Sequence, residues 1–427
     1  MDLNLKRPYP SVSSEQVVAK RLCEEQNEFI AKLELLLKKS ENDDAFIILD
    51  IKKEAANKSG KHYQSIMTRI EITGKLGDKS LCHKTFIRKV PVINETLKAS
   101  IRSDDLFRTE AYVYENALSF WGAIGPKCIL ARHDEIILED LCARRFNVCE
   151  IERFFDLDHC LAVLQLLTSM HAKSLSLKLA DPESFKNLIA PLTESISPND
   201  DSPSLSTSYE NGIAIALQIL LSINTNDPKV ERAINFLLFY QNNVVATMKD
   251  LMIPKDGNDK YWVITHGDLW KDNIMFHYDN DTGRIVSIKM FDFQMTRYAS
   301  PALDFIYFLY TSIRPEVIRV DLDSMIAEYE TFFLHSLRCY DVYEYDLVPF
   351  TQPGWFAKEL KQYGLLGLFT ALNTIHTVFI DKERAQLYEQ CKISEVFIPP
   401  VLTDLPEKNE KILFMIDHFI TYFANNS

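Results

Sequence analysis

The sequence predicts an α+β fold, with a small β-rich lobe at the N-terminal end and a large, mostly helical lobe after it. Three observations carry this. From residue 62 to 92, "HYQSIMTRIEITGKLGDKSLCHKTFIRKVPV" alternates apolar and polar residues around a Gly/Asp/Lys turn, the period of paired strands. Beyond residue 141 the apolar residues recur mostly at three- and four-residue steps, the helical period. A chain of 427 residues is also long enough for two lobes. The expected boundaries are 1–40 for a polar tail and helix, 41–140 for the small lobe and 141–427 for the large one, with a cleft between the lobes.

In chain order, "SEQVVAKRLCEEQNEFIAKLELLLKK" reads as the first helix and the alternating stretch as a hairpin. "DDLFRTEAYVYENALSFW" has helical period, with Asp104 and Asp105 suited to its first turn. "CILARHDEIILEDL" resembles a strand pair ending in an acidic step. In the large lobe, "LDHCLAVLQLLTSMHAKSLSLK" and "KVERAINFLLFYQNNVVATMKDLM" are amphipathic helices, and "ISPNDDSPSLSTS" is a loop. One β element interrupts them, "NIMFHYDNDTGRIVSIKMFDF", two strands around an acidic turn. That turn, "DNDTG", is no calcium loop, because Met290 stands where a bidentate glutamate is required.

Composition narrows the function classes. With 47% hydrophobic and 25% charged residues the chain is an ordinary globular protein. A formal charge of −13 without a compensating basic face argues against nucleic-acid binding and is compatible with a cationic substrate. No run reaches the roughly eighteen apolar residues of a membrane span, and the N-terminus has no signal-peptide core. The eight cysteines form no C-x-x-C, so neither zinc nor a disulfide framework is expected, and a cytoplasmic location follows.

The chemistry concentrates in "ITHGDLWKDNIMF", Ile264 to Phe276. Phosphoryl transfer needs hard oxygen ligands for magnesium, a carboxylate to orient the attacking hydroxyl, and a lysine held by an acid to position the phosphates. Asp268 follows strand-like "YWVIT" and precedes Asn273 by five residues, the D-x-x-x-x-N spacing of a kinase catalytic loop. Asp292 closes the next strand, where it can meet Asn273 across the hairpin and supply a metal ligand. Lys89 ends "TFIRKVP" and is a better phosphate ligand than Arg88, because Thr85 and Ile87 share its face. Glu110 lies on the apolar helix face of Leu106, Tyr114, Ala117 and Trp121, a costly place for a carboxylate unless it pairs, and Lys89 fits that need.

Other residues take supporting readings. "GKHYQS", with Gly60 and Ser65, would be the phosphate-covering turn, although it has one glycine. "LEDL" sits where the lobes meet; backbone groups from Glu139 to Leu141 could hold an adenine edge, while the Glu139 and Asp140 side chains read equally as helix caps. His266 orients the loop by hydrogen bonds, His171 is a core histidine, and Asp304 is either a buried anchor for the loop's backbone or a helix cap.

In order, "GKHYQSIMTR", "FIRKVP", "LFRTEAYVYE", "IILEDL", "LTSMHAKS", "THGDLWKDNIMF" and "MFDFQMTRYASPALDFIYFL" resemble the ecdysteroid-kinase-like family, a branch of the choline-kinase and aminoglycoside-phosphotransferase group. The resemblance covers nearly the whole chain after residue 40. It implies a two-lobed protein-kinase-like fold and ATP:alcohol phosphotransferase activity. It also implies Asp268 as catalytic base, Asn273 and Asp292 as magnesium ligands, and Lys89 with Glu110 as the phosphate-positioning pair. One departure stands out: the family's covering turn usually reads Gly-Asp/Glu-Asn-Tyr/Phe-x-Ser, whereas Lys61 and His62 hold the second and third positions here. ATP affinity is thus open to differ from the family's.

Only twelve residues separate Asp292 from Asp304, Gln294 replaces the glycine of D-F-G, and no A-P-E follows, so a peptide platform is missing. A small-molecule alcohol is the expected acceptor, steroid-like (an ecdysteroid) or xenobiotic. The alternatives are a choline- or ethanolamine-type kinase, which needs an aromatic and acidic cage, and a non-catalytic binding protein on the same scaffold. No oligomeric state is read from the sequence.

Overall fold

Alternation in the first third becomes a sheet. A computed structural model describes residues 14–56, 65–100, 102–149, 153–192, 203–223, 226–380 and 405–424. The chain divides into two units, one of Met1–Glu54 and Arg69–Phe86, the other of Ala55–Thr68 and Ile87–Ser427. In the first unit, helix α1 (Ser14–Glu41) precedes strands β1 (Ile47–Ala55), β2 (Ser65–Lys75) and β3 (Leu81–Pro91), adjacent in that order. Ile70, Ile72 and Gly74 of β2 face inward while Glu71 is exposed, as period-two alternation requires. Leu33 and Leu37 of α1 and Phe46 are buried with them. The turn between β2 and β3 is closed by Leu76 N–H donating to Ser80 O at 3.0 Å.

The second unit begins with the end of β3. After α2 (Glu95–Ser100), a helical stretch runs from α3 (Ser103–Tyr112) through a π turn at Val113–Ala117 to α4 (Leu118–Trp121). The hairpin of β4 (Cys128–Arg132) and β5 (Glu135–Glu139) follows, antiparallel, with β5 lying next to β3. Then come α5 (Leu157–Ala180), α6 (Pro182–Ile189), α7 (Pro203–Ser222), α8 (Pro228–Tyr240) and α9 (Val244–Leu251). Two small antiparallel pairs come next: β6 (Val263–Thr265) with β9 (Arg297–Ala299), and β7 (Ile274–Tyr278) with β8 (Ile285–Met290). The last helices are α10 (Ala302–Ser312), α11 (Pro315–Cys339), α12 (Glu344–Leu347), α13 (Trp355–Val378) and α14 (Pro406–Phe419). The α+β class expected from the sequence holds.

Every residue of α10 is buried, its apolar residues in the core and Asp304, Thr311 and Ser312 with them. It packs on α13, where a Cβ at Gly367 would lie 2.8 Å from both Ile306 Cβ and Leu303 O. The glycine lets the two backbones approach, and so fixes the polar face of α10 that the loop after β6 rests on. Among the described residues no helix is long and apolar enough to cross a membrane.

Candidate active site

Strand β6 ends at Thr265, paired with Arg297, and the chain turns through His266, Gly267 and Asp268. Gly267 has φ +80°, and a Cβ there would lie 2.0 Å from Met295 O, so no other residue fits. One side of α10 holds the loop residue by residue. Asp304 Oδ2 accepts from His266 N at 2.7 Å and Asp304 Oδ1 from Gly267 N at 2.8 Å. Tyr307 donates its hydroxyl to Asp268 Oδ1 at 2.7 Å, and Ser312 Oγ accepts from Lys271 N at 2.9 Å. Asp304 is fully buried. Burial pushes its carboxyl up, yet the hydrogen bond and charge of His171, 3.0 Å away, and the loop's N–H groups hold it below its ordinary value. His171 is satisfied on its other side by Tyr329 at 2.7 Å. His266 Nδ1 accepts from Asp268 N at 3.3 Å, so Nε2 carries the proton and donates to Phe291 O at 3.1 Å. Burial keeps this imidazole below its ordinary pKa, in line with a neutral ring that orients the loop.

The loop and the following hairpin bring three of the expected residues together. Asn273 Nδ2 donates to Asp268 O at 2.8 Å and to Asp268 Oδ2 at 3.1 Å. Phe291 N donates to Asn273 O at 3.1 Å, which sets Asp292 beside Asn273 at the mouth of the hairpin. Asp292 adopts the left-handed conformation, φ 68° and ψ 58°, a strained choice that turns its carboxylate toward Lys89. Lys89 Nζ contacts both oxygens of Glu110 at 2.7 Å and Asp292 Oδ1 at 3.0 Å. All three are buried. Burial alone would depress the Lys89 ammonium, but Asp292 and then Glu110 hold it above its ordinary value. Arg88, the other strand-end candidate, pairs instead with Glu135.

Asp268 is only partly exposed. Burial first, and the Asp292 charge second, push its carboxyl up to about 7, against hydrogen bonds from Tyr307, Gln294 and Asn273. A carboxyl so placed can hold or accept a proton near neutral pH. Asn273 Oδ1 is a buried acceptor without a partner. Among the described residues no group of three His, Cys, Asp or Glu side chains could hold a metal ion. A hard cation here would take one amide and one carboxylate oxygen from the protein and the remainder from water and phosphate, the usual way magnesium binds.

Other expected residues lie outside this cluster. Glu139 accepts from Lys127 N at 2.7 Å and pairs with Arg144 at 3.0 Å, and Asp140 accepts from Cys142 N at 2.9 Å. Leu141 packs with Phe146 and Met275, with Phe291 alongside. Ser65 is buried at the start of β2, while Gly60, Lys61 and His62 fall outside the described residues. Tyr307, Gln294 and Ser312 were missed in the sequence, although Tyr307 sits three residues after Asp304 on the same helix face. A cavity of about 1050 Å³ lies elsewhere, lined by Asp156, His159, Gln165, Tyr278 and Tyr340 among others, and includes none of the residues of this cluster.

With this geometry in place, comparison with known proteins is informative about family. The family model described as "Ecdysteroid kinase-like family" matches residues 59–340. No curated protein matches the chain. Solved structures with a similar chain path include an ethanolamine kinase from Plasmodium vivax, 12% identical, covering 88% of this chain and 84% of that one, with a TM-score of 0.39. A macrolide 2'-phosphotransferase from Brachybacterium faecium is 12% identical, covering 87% and 100%, with a TM-score of 0.36. The GDP complex of aminoglycoside 2'-phosphotransferase-IIIa is 12% identical, covering 81% and 99%, with a TM-score of 0.33.

Proposed function

The chain belongs to the ecdysteroid kinase-like family, and from that premise we propose that it transfers the terminal phosphoryl group of MgATP to the hydroxyl of a small-molecule alcohol. The observation that carries the proposal is the polar chain formed by Asp268, Asn273, Asp292, Lys89 and Glu110. Asn273 clamps Asp268 through its amide nitrogen and leaves its buried oxygen unpartnered. Asp292, beside it, is anchored by Lys89.

In this reading Asp268 accepts the proton of the acceptor hydroxyl as the new bond to phosphorus forms. Asn273 holds Asp268 in place and, with Asp292, offers the oxygens for the metal. Asn273 and Asp292 would hold a magnesium ion whose charge offsets that of the phosphates. Lys89 positions the phosphates, and Glu110 keeps Lys89 aimed along its strand. Ser65, at the start of β2, is assigned to the phosphates. The Leu141, Phe146 and Met275 cluster gives the adenine an apolar seat beside the backbone of Glu139. Asp304 and His266 serve the site by fixing the loop.

For the acceptor we take the steroid-like or xenobiotic alcohol over a choline-type cation. The aromatic run after Gly354, which a cationic cage would need, is core: Trp355 and Phe356 are buried, and Phe356 stacks on Tyr329 at 3.8 Å between centroids. Incubation with MgATP and a panel of steroid alcohols, cholines and aminoglycosides tests the reading. Phosphorylation of a steroid alcohol and not of choline is expected; phosphorylation of choline alone would reverse the choice of acceptor.

A further inference from the structure

Arg297, on β9, is 1% exposed, and both of its terminal nitrogens are buried without a hydrogen-bond partner. Only Nε is engaged, donating to Met295 O at 3.2 Å. A guanidinium taken out of water with two unmet donor groups is costly, and native interiors satisfy such groups with protein, water or ligand. The bland explanation would be a carboxylate partner. The carboxylate of the site, Asp268, already accepts from Tyr307 and Asn273.

The surroundings say which side of the site Arg297 serves. Strand β9 pairs with β6, not with the β7–β8 hairpin that carries Asn273 and Asp292. Thr265 Oγ1, at the end of β6, donates to Arg297 O at 3.0 Å, directly before the loop that carries Asp268. Tyr307 of α10 donates to Asp268 Oδ1 at 2.7 Å. Arg297 thus sits on the strand paired with β6, which delivers the carboxylate assigned to the acceptor hydroxyl. Lys89 and Glu110, assigned to the nucleotide, belong to β3 and α3.

We propose that Arg297 receives an oxyanion carried by the acceptor, which narrows the substrate to alcohols bearing a carboxylate, sulfate or phosphate group. The proposal rests on the phosphotransferase reading above. A planar fork with two free N–H edges suits a carboxylate or sulfate bidentately, and a buried cation gains most from a full counter-charge.

Inorganic sulfate is the probe, titrated calorimetrically into the full chain at low ionic strength, with and without saturating MgATP. Saturable binding that MgATP leaves in place is expected, at least about tenfold weaker in Arg297→Lys and lost in Arg297→Met. The wild-type competition decides even where Arg297→Met fails to fold. Displacement of sulfate by MgATP would overturn the proposal by placing the oxyanion in the nucleotide's phosphate seat. Binding that is not saturable, or is indifferent to Arg297→Lys, would overturn it too, leaving a guanidinium satisfied by water or an adventitious ion only. The same titration with MgATP alone tests the underlying reading: wild type that takes sulfate but no MgATP removes the phosphotransferase role and not the oxyanion site. In the presence of MgATP, hydroxy acids are expected to be phosphorylated at least about tenfold better than their methyl esters.

Discussion

Two aspartates hold the two ends of the same loop, and their environments push them in opposite directions. Asp304, beneath His266 and Gly267, is fully buried, accepts two backbone N–H groups and the His171 ring, and stays ionised below its ordinary value. Asp268, two residues along, also accepts hydrogen bonds, but it faces Asp292 and is pushed up to about 7. Burial raises both; what separates them is the hydrogen bonds from His171 and the loop N–H groups at Asp304 against the negative charge of Asp292 at Asp268. The first is built to stay charged and hold backbone, the second to change its charge. Acid–base roles are commonly divided between carboxyls in this way.

Removing the second aspartate's charge should have the largest effect. Asp268→Asn is expected to lower turnover about a thousandfold, the scale of general-base catalysis, with nucleotide binding kept. Unchanged turnover would take the proton-accepting role from Asp268. Asp304→Asn should instead act on stability, costing ~3 kcal/mol in urea unfolding, because it leaves a buried charge network short of its anion. The sign with pH follows from its lowered pKa: the contribution is present above the ordinary aspartate value of about 4 and fades as pH falls through the lower folded value. A variant whose unfolding midpoint matches wild type at pH 7 would make Asp304 dispensable.

The pH profile sharpens the contrast further. Because Asp268 must be ionised to accept a proton, kcat/KM, which reports the free enzyme, should rise with pH up to a limb near 7. A limb near 4 would mean that neither burial nor the Asp292 charge raises it. Tyr307→Phe is expected to have the smallest effect. It removes a hydrogen bond to the ionised form worth ~1 kcal/mol, so the limb should move up by less than about one pH unit. A downward move would contradict the contact.

Much of this site was legible in the sequence because phosphoryl-transfer chemistry fixes residue type and spacing together. Asp268 and Asn273 are five apart on one loop, and the β7–β8 hairpin returns Asp292 beside Asn273. Glu110 was readable as a charge on an apolar helix face, and the only good explanation of such a charge is a partner. Strand β1 was not read, since its side chains are largely exposed and carry little alternation. Strand β9, three residues long, is too short to show a period at all. Arg297 belongs to the family-like stretch "MFDFQMTRYASPALDFIYFL" but takes no role from the sequence, for a different reason. An arginine in such a stretch reads as a solvated side chain, and only the fold shows that it is buried.

The most direct test of the metal and nucleotide assignment is calorimetric binding of ATP, with and without magnesium, to wild type and to Asp292→Asn. The wild-type protein is expected to bind ATP at least about tenfold more tightly with magnesium, and the variant to lose that dependence, since a magnesium site this sparse relies on its single protein carboxylate. Equal magnesium dependence in the two proteins would contradict the assignment of Asn273 and Asp292 to the metal.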